Sequence, residues 1–184
     1  VAHHLPSPER HDMKKGKVAI GYVHNVECAI TWHDSLMNLR LFDWMKKKRT
    51  LDGGGIIARF SSANVSSSRN QVVTAFLEES DAEWLWMVDT DMVFAPNTIE
   101  ALLVNANADK DSEHYAPIVG GLCFAVNDGK LEPTMYQLVK GDDGDMATVR
   151  YTTYPKDSMF QVSATGAACL LVHRSVLEAM RERN

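Results

Sequence analysis

Three short apolar runs, separated by helical patterns and each followed by polar residues, constrain the fold of this chain most strongly. The runs are Val18–Val23, Ile56–Phe60 and Trp84–Val88. The third run is nearly continuous in apolar residues, which is typical of a central strand covered on both faces. Between the runs, apolar residues recur three or four positions apart over 31–48 and 69–79, which predicts two helices. Strands that alternate with helices predict an α/β open sheet with helices on both faces.

The second half of the chain predicts further strands and two more helices. Pro96 is expected to begin a helix, because proline fits the first helical position. Residues 127–160 contain Asn-Asp-Gly and Gly-Asp-Asp-Gly stretches typical of hairpin turns. The remaining predicted elements are strands over 116–124, 160–163 and 167–172 and a helix over 175–183.

Length and composition fit one globular domain. The chain has 184 residues, of which 45% are hydrophobic and 23% charged, so it can bury a core and is unlike a disordered chain. We expect residues 1–12 to form a flexible lead and residues 13–184 to form a single domain. The net charge of -5 argues against a nucleic-acid partner. All four tryptophans are predicted to lie in the core, with Trp32 nearest to any cleft.

Cysteine usage and hydropathy indicate a cytoplasmic protein. No stretch approaches the roughly 20 apolar residues that cross a bilayer, and the first residues lack the apolar segment of a signal peptide. The three cysteines, Cys28, Cys123 and Cys169, are widely spaced and odd in number, which is typical of reduced thiols. The sequence therefore predicts a cytoplasmic location and no membrane span.

The pattern Asp-x-Asp occurs three times, and only one copy has an informative context. Asp109 and Asp111 lie in a charged loop and are expected to be solvated. Asp143 and Asp145 lie in a glycine-rich turn that lacks the ligand spacing of a calcium loop. Neither of these two pairs is predicted to bind a ligand.

The third copy, Asp89-Thr90-Asp91, directly follows the apolar run that ends at Val88. Because side chains alternate along a strand, both carboxylates can point the same way. Two carboxylates this close repel each other unless a cation joins them. Magnesium and manganese prefer oxygen ligands and also bind phosphates. We therefore predict a metal site at Asp89 and Asp91, the alternative being that the two acids only cap the next helix.

Other polar residues lie where an α/β sheet binds ligands, beyond the carboxyl ends of its strands. His24-Asn25 and Ser61-Ser62 follow the first two predicted strands, and the run Asp52–Gly55 is expected to break the chain before the second strand.

Ser68 is predicted to cap a helix that Arg69 opens. A guanidinium beside exposed helix N–H groups suits a phosphate, the alternative being an ordinary surface arginine. Neither glycine-rich phosphate-loop motif is present in the sequence.

Taken together, these pieces resemble the GT-A glycosyltransferases, specifically their family-two-like branch. The resemblance covers most of residues 17–180. The matching stretches are VAIGYVHN, SSSRNQVV, WLWMVDTDMVFAPNTIEALL, IVGGLCFA and ATGAACLLVHRSVLEAM. The resemblance implies a GT-A fold with an open mixed sheet, a nucleotide-diphosphate sugar donor, and Mn²⁺ or Mg²⁺ as cofactor.

The resemblance also implies roles for individual residues. Asp91 would ligate the metal that bridges the donor diphosphate, and Asp89 would contact the ribose or support the metal. Arg69 would approach the base or the diphosphate. The remaining implied residues are Tyr22, Val23 and His24 along the base, Thr90 beside the donor, and Thr165, Gly166 and Ala167 on the acceptor side.

The sequence departs from the family pattern at two places. Ser61 and Ser62 stand where members often carry acidic residues that read the base, so the base stays open. In the family, the general base and a later metal-ligating histidine follow the helix that begins here at Ser175. Both are therefore expected beyond Asn184, in a C-terminal part that this sequence lacks.

The predicted function is metal-dependent, inverting transfer of a sugar from a nucleotide-diphosphate sugar to an unidentified acceptor. One alternative is a nucleotidyltransferase of similar fold, which a glycine-rich, basic loop after the first strand would favour. The stretch HNVECAITWHD there has neither glycine nor lysine. The other alternative is a non-catalytic nucleotide-binding or assembly module.

Overall fold

The computed structural model describes residues 18–62, 64–106, 115–141 and 144–183. The predicted flexible lead over 1–12, the pair Asp109/Asp111 and Asp143 lie outside these residues. Within the described ranges, no helix has both the length and the apolar character needed to cross a membrane.

Ten strands and four helices make up the described chain. The helices are α1 (Ile30–Trp44), α2 (Val65–Glu79), α3 (Thr98–Asn105) and α4 (Arg174–Glu182). The first four strands are β1 (Val18–His24), β2 (Leu51–Phe60), β3 (Trp84–Val88) and β4 (Ile118–Gly120). The remaining strands are β5 (Phe124–Asn127), β6 (Lys130–Pro133), β7 (Met135–Lys140), β8 (Met146–Arg150), β9 (Ala164–Thr165) and β10 (Cys169–His173).

The main sheet has five strands in the order β2-β1-β3-β10-β4. Strand β1 pairs in parallel with β2 on one side and β3 on the other, whereas β10 pairs antiparallel with both β3 and β4. The chain thus leaves β1 toward β2 and crosses back to β3, which makes the gap between β1 and β3 a topological switch point. The predicted open mixed sheet is confirmed.

Helices cover both faces of this sheet, as predicted. Alternate residues of the central strands enter two separate apolar clusters, because side chains alternate across a strand. One cluster joins Trp84 and Trp86 to Leu36 of α1 and Ile99 of α3. The other joins Leu85 to α2 and α4 through Val72, Phe76 and Leu177. The nearly continuous apolar run 84–88 therefore does form a strand buried on both faces.

The glycine run 52–55 belongs to β2 and does not break the chain, contrary to the prediction. Val18 pairs with Leu51 and Ile20 with Ile56, so two steps along β1 correspond to five along β2. The extra residues form an irregularity of the bulge type, for which glycine is suited. A local reading of three glycines as a loop misses this, because the register is set by the neighbouring strand.

Helix α2 begins four residues earlier than predicted, and Ser68 is not its cap. The Asn64 side chain accepts a hydrogen bond from the Ser67 N–H at 3.1 Å and caps the helix. Ser68 is fully buried inside the helix, and its hydroxyl accepts from the Ser62 N–H at 2.9 Å. Arg69 consequently lies in the second turn, away from the exposed N–H groups that the prediction invoked.

Smaller differences concern the other element boundaries. Helix α1 ends at Trp44 and not near 48, and α3 begins at Thr98 and not at Pro96. The predicted strand 116–124 divides into β4 and β5, and residues 160–163 form no strand. The predicted Asn-Asp-Gly hairpin is confirmed, since Asp128 and Gly129 adopt φ of 48° and 75° between paired β5 and β6.

Arg174 ties α4 to the carboxyl-terminal end of α2. Its Nε donates to the Ala82 carbonyl at 2.9 Å, and its Nη2 donates to the Phe76 carbonyl at 3.2 Å. Its guanidinium also lies over the Phe76 ring at 4.3 Å. The last carbonyls of a helix lack partners within the helix and carry partial negative charge, so a cation there is favourable.

We expect Arg174→Lys to lower the free energy of unfolding by about 1–3 kcal/mol, because an ammonium cannot reproduce the planar fork that reaches several carbonyls. Urea denaturation would measure the change. Arg181→Lys, an exposed position in the same helix, is the matched control and should stay within about 0.5 kcal/mol. Equal stability of the two variants would contradict the role given to Arg174.

Candidate functional site

The carboxyl ends of β1 and β3 lie side by side and bring two predicted groups of site residues together. Strand β1 ends in Tyr22, Val23 and His24, and Asp89 directly follows β3. The first residues before α1 are held against the same edge, since the Ala29 N–H donates to the Thr90 carbonyl at 3.4 Å. The predicted site residues therefore lie at the same edge of the sheet as its switch point.

Arg69 and Asp89 form an ion pair across this edge. The Arg69 Nη2 lies 2.6 Å from Asp89 Oδ1, and the two side chains are 29% and 37% exposed. Arg69 comes from α2 and Asp89 from the end of β3, so the pair joins the helix to the sheet. Tyr22, Val23 and both members of the pair line one small depression between β1 and β3. The sequence pattern singled out both residues but did not show that they pair.

Asp91 lies two residues beyond this pair and is exposed. No side chain among the described residues pairs with it, and those residues contain no group of three acidic, histidine or cysteine side chains that could hold a metal. Protein sites for Mg²⁺ often supply only one or two carboxylates, the remaining ligands being water and substrate phosphates. Asp91, with Asp89 beside it, therefore fits a cation that arrives together with a phosphate ligand.

Aromatic side chains extend from the same strand ends. The Tyr22 ring packs edge-on against Trp32, with centroids 4.8 Å apart, and the His24 ring packs edge-on against Phe60 at 5.8 Å. Burial raises the pKa of the Tyr22 phenol, the nearby Cys28 adds to this, and Arg40 opposes it. Tyr22 is thus a neutral, half-buried ring near the depression.

Phe60 was not predicted to be a site residue, although it lies beside His24 in the parallel register of β1 and β2. Its ring is 59% exposed. The sequence does show that Phe60 and His24 each end a strand. It does not show the register of the two strands, which is what places the two rings side by side.

The segment between β9 and β10 adjoins the acidic residues. The Asp89 N–H donates to the Ala168 carbonyl at 3.1 Å, and the Gly166 N–H donates to the Thr134 carbonyl at 2.8 Å. A Cβ at Gly166 would lie 2.9 Å from the Thr134 hydroxyl, so this position has no room for a side chain. Ala168, which directly follows the predicted acceptor-side residues Thr165, Gly166 and Ala167, therefore contacts Asp89, whereas Gly166 is held by Thr134.

Cys123 is a buried thiol whose pKa is affected by the acidic residues at this edge. Its pKa is raised to about 11, chiefly by burial and also by the electrostatic effects of Cys169, Asp89 and Asp91. The thiol is therefore protonated near neutral pH and is not a nucleophile there. Cys169 is also buried, with its Sγ 3.4 Å from the Trp86 Nε1, whereas Cys28 is exposed.

The fold resembles that of solved structures at low sequence identity. The crystal structure of A197 from STIV matches with a TM-score of 0.54 and 14% identity, over 88% of this chain and 67% of that one. The crystal structure of 4-diphosphocytidyl-2C-methyl-D-erythritolsynthase from Anaerococcus prevotii matches with a TM-score of 0.44 and 11% identity, over 91% and 76%. Comparisons of the sequence with family models and with curated proteins give no match. At 14% identity the first likeness concerns the fold alone.

The raised pKa of Cys123 predicts a specific loss of stability at alkaline pH. From pH 9, the ordinary value for a thiol, to about 11, the unfolded chain loses this proton while the folded chain keeps it. Stability therefore falls as pH rises through this window, by about 2–3 kcal/mol from this group. Urea denaturation at several pH values should show a shallower fall for Cys123→Ala. Parallel curves for the two proteins would refute the assignment.

Proposed function

We propose that the chain binds a nucleotide-diphosphate sugar at the carboxyl edge of β1 and β3 and transfers the sugar, as a GT-A glycosyltransferase domain does. One observation carries the proposal. The Arg69–Asp89 ion pair lies at the switch point of the sheet, with the exposed Asp91 two residues on. Ligands of open α/β sheets bind at such points, and this arrangement offers one cation and two carboxylates to a diphosphate.

The charges at this edge support a bound divalent cation. Asp89 already neutralises Arg69, so Asp91 adds an uncompensated negative charge beside the depression. A diphosphate would be repelled there unless a second positive charge came with it. We therefore infer that Asp91, supported by Asp89, holds Mn²⁺ or Mg²⁺ on the diphosphate. When bound, such an ion supplies charge stabilisation to the departing nucleoside diphosphate.

The aromatic residues suit the nucleoside part of the donor. Tyr22 lines the depression, His24 continues β1 beyond it, and Phe60 extends the aromatic surface toward β2. Rings of this kind offer flat apolar surface on which a base can stack, and each such contact is worth roughly 1–3 kcal/mol. Stacking is tolerant of base identity, so Ser61 and Ser62 are left to discriminate by hydrogen bonding.

Thr165, Gly166 and Ala167 are proposed to line the acceptor side. The hydrogen bond from Asp89 to Ala168 fixes this segment beside the carboxylates, and Thr134 holds Gly166 from behind. A segment held by backbone bonds on both sides keeps its position when ligands bind. A larger residue at Gly166 would meet Thr134 and displace this segment.

Thermal shift with nucleoside diphosphates tests the proposal. We expect one of UDP, GDP, CDP, ADP and TDP to raise the melting temperature in the presence of Mn²⁺, because a ligand of the folded state stabilises it. At a ligand concentration of about 100 times Kd, the increase should be about 5–10 °C for a chain of this size. Omission of Mn²⁺ should abolish most of the shift.

Asp91→Ala should lose the Mn²⁺-dependent shift while keeping its own melting temperature. Asp81→Ala is the matched control, since Asp81 is an exposed aspartate just before the opposite end of β3. A shift with nucleoside triphosphates alone would favour the nucleotidyltransferase alternative. A shift with a diphosphate but no turnover of any sugar donor would favour a binding module. No shift with any nucleotide would refute the donor site.

A further inference from the structure

Helix α1 carries an apolar stripe on the face opposite to the core. Ile30, Met37, Leu41 and Trp44 follow one another at intervals of seven, four and three residues, which places them on one side of a helix. All four are exposed, Ile30 by 71% and Trp44 by 64%. Trp44 was predicted to lie in the core, and that prediction is wrong.

The stripe is not needed for packing against the sheet. The opposite side of α1 already contributes Trp32, Leu36 and Leu39 to the buried cluster. A helix in a soluble domain normally presents polar residues on its outer face. An apolar outer face on a helix that is already packed therefore points to a contact outside the described chain.

The stripe is bordered by positive charge. Residues 30–50 hold five of the 19 lysines and arginines of the chain but only two of its 24 acidic residues. One of those two, Asp43, is buried and accepts the Thr50 N–H at 2.6 Å, so it does not face outward. The segment is thus strongly basic on a chain whose net charge is -5.

Most of these cations are available to a partner. Lys46 pairs with Glu100, whereas Arg40, Lys47, Lys48 and Arg49 are exposed and form no ion pair within the described residues. Arg49 lies over the Trp44 ring at 5.8 Å, so positive charge and the apolar stripe meet at the end of α1. We call the stripe and these four cations the α1 surface.

We propose that the α1 surface docks the protein onto an anionic lipid bilayer. Helices that lie at a membrane interface combine leucine, phenylalanine and tryptophan on one face with lysine and arginine along its border. The apolar side chains enter the headgroup boundary, and the cations meet negative lipid headgroups. The charge complementarity is local, because the rest of the chain is acidic and would be repelled by the same surface.

A nucleic acid fits this surface less well. Phosphate backbones are bound through cations and polar groups, and three aliphatic or thioether side chains in the middle of the surface would be left against a charged ligand. Trp44 is an amphipathic ring of the kind enriched at membrane interfaces. Both observations favour a bilayer.

Vesicle sedimentation tests the proposal with the whole chain and needs no nucleotide. We expect binding to vesicles of phosphatidylcholine and phosphatidylserine, weak binding to phosphatidylcholine alone, and a decrease with salt as charges are screened. Trp44 is the exposed tryptophan, while Trp32, Trp84 and Trp86 are buried. Its fluorescence should therefore shift to shorter wavelength on binding, and Trp44→Ser should remove that shift.

A charge-reversal variant supplies the decisive comparison. Lys47→Glu, Lys48→Glu and Arg49→Glu together should weaken vesicle binding by at least about a hundredfold, since each basic residue strengthens it about fivefold. The matched control reverses three exposed lysines elsewhere, Lys130, Lys140 and Lys156, with the same change of net charge. Melting curves would confirm that both variants fold.

Several results would overturn the proposal. Failure of the wild-type chain to bind phosphatidylserine vesicles is one, and equal loss in both triple variants is another. Binding of a duplex oligonucleotide that Lys47→Glu, Lys48→Glu and Arg49→Glu abolishes, without any vesicle binding, would make the α1 surface a nucleic-acid site. None of these results bears on the nucleotide shift at Asp91, so the two proposals fail separately.

Discussion

The parallel pairing of β1 with both β2 and β3 is the constraint on which the rest of the structure depends. Parallel strands present their carboxyl ends at one edge, and the crossovers through α1 and α2 must then cover opposite faces of the sheet. Because the chain leaves β1 in one direction and returns in the other, the helices part above the gap between β1 and β3. Tyr22 and Asp89 both line that gap for that reason.

The ion pair between Arg69 and Asp89 uses this arrangement and also depends on it. At 29% and 37% exposure the pair remains hydrated, so its contribution to stability is small and its main consequence is orientation. Arg69 is held over the strand end by α2, and the Asp89 backbone is held by Ala168, the residue just before the neighbouring antiparallel strand β10. Both charges are thus fixed in place before any ligand arrives, which lowers the cost of ordering them on binding.

The helices on the two faces of the sheet differ in the side chains that they expose. Helix α2 exposes polar residues, as a surface helix should, whereas α1 is apolar on both sides and is followed by a run of cations. The N-terminal end of α1 adjoins the carboxyl edge of β1 and β3 through Ala29 and Thr90. A bilayer bound along α1 would therefore lie to one side of the proposed site.

The sequence by itself determined the alternation of elements, the buried strand 84–88 and the position of Asp89 and Asp91 at its end, because periodicity and strand length are local properties. Only the tertiary structure decided that Arg69 pairs with Asp89 and that Asn64 caps α2. It also decided that Phe60 is exposed and that Trp44 lies on the outer face of α1. It also placed the glycine run inside β2. Register and burial depend on residues distant in sequence, and no local pattern contains them.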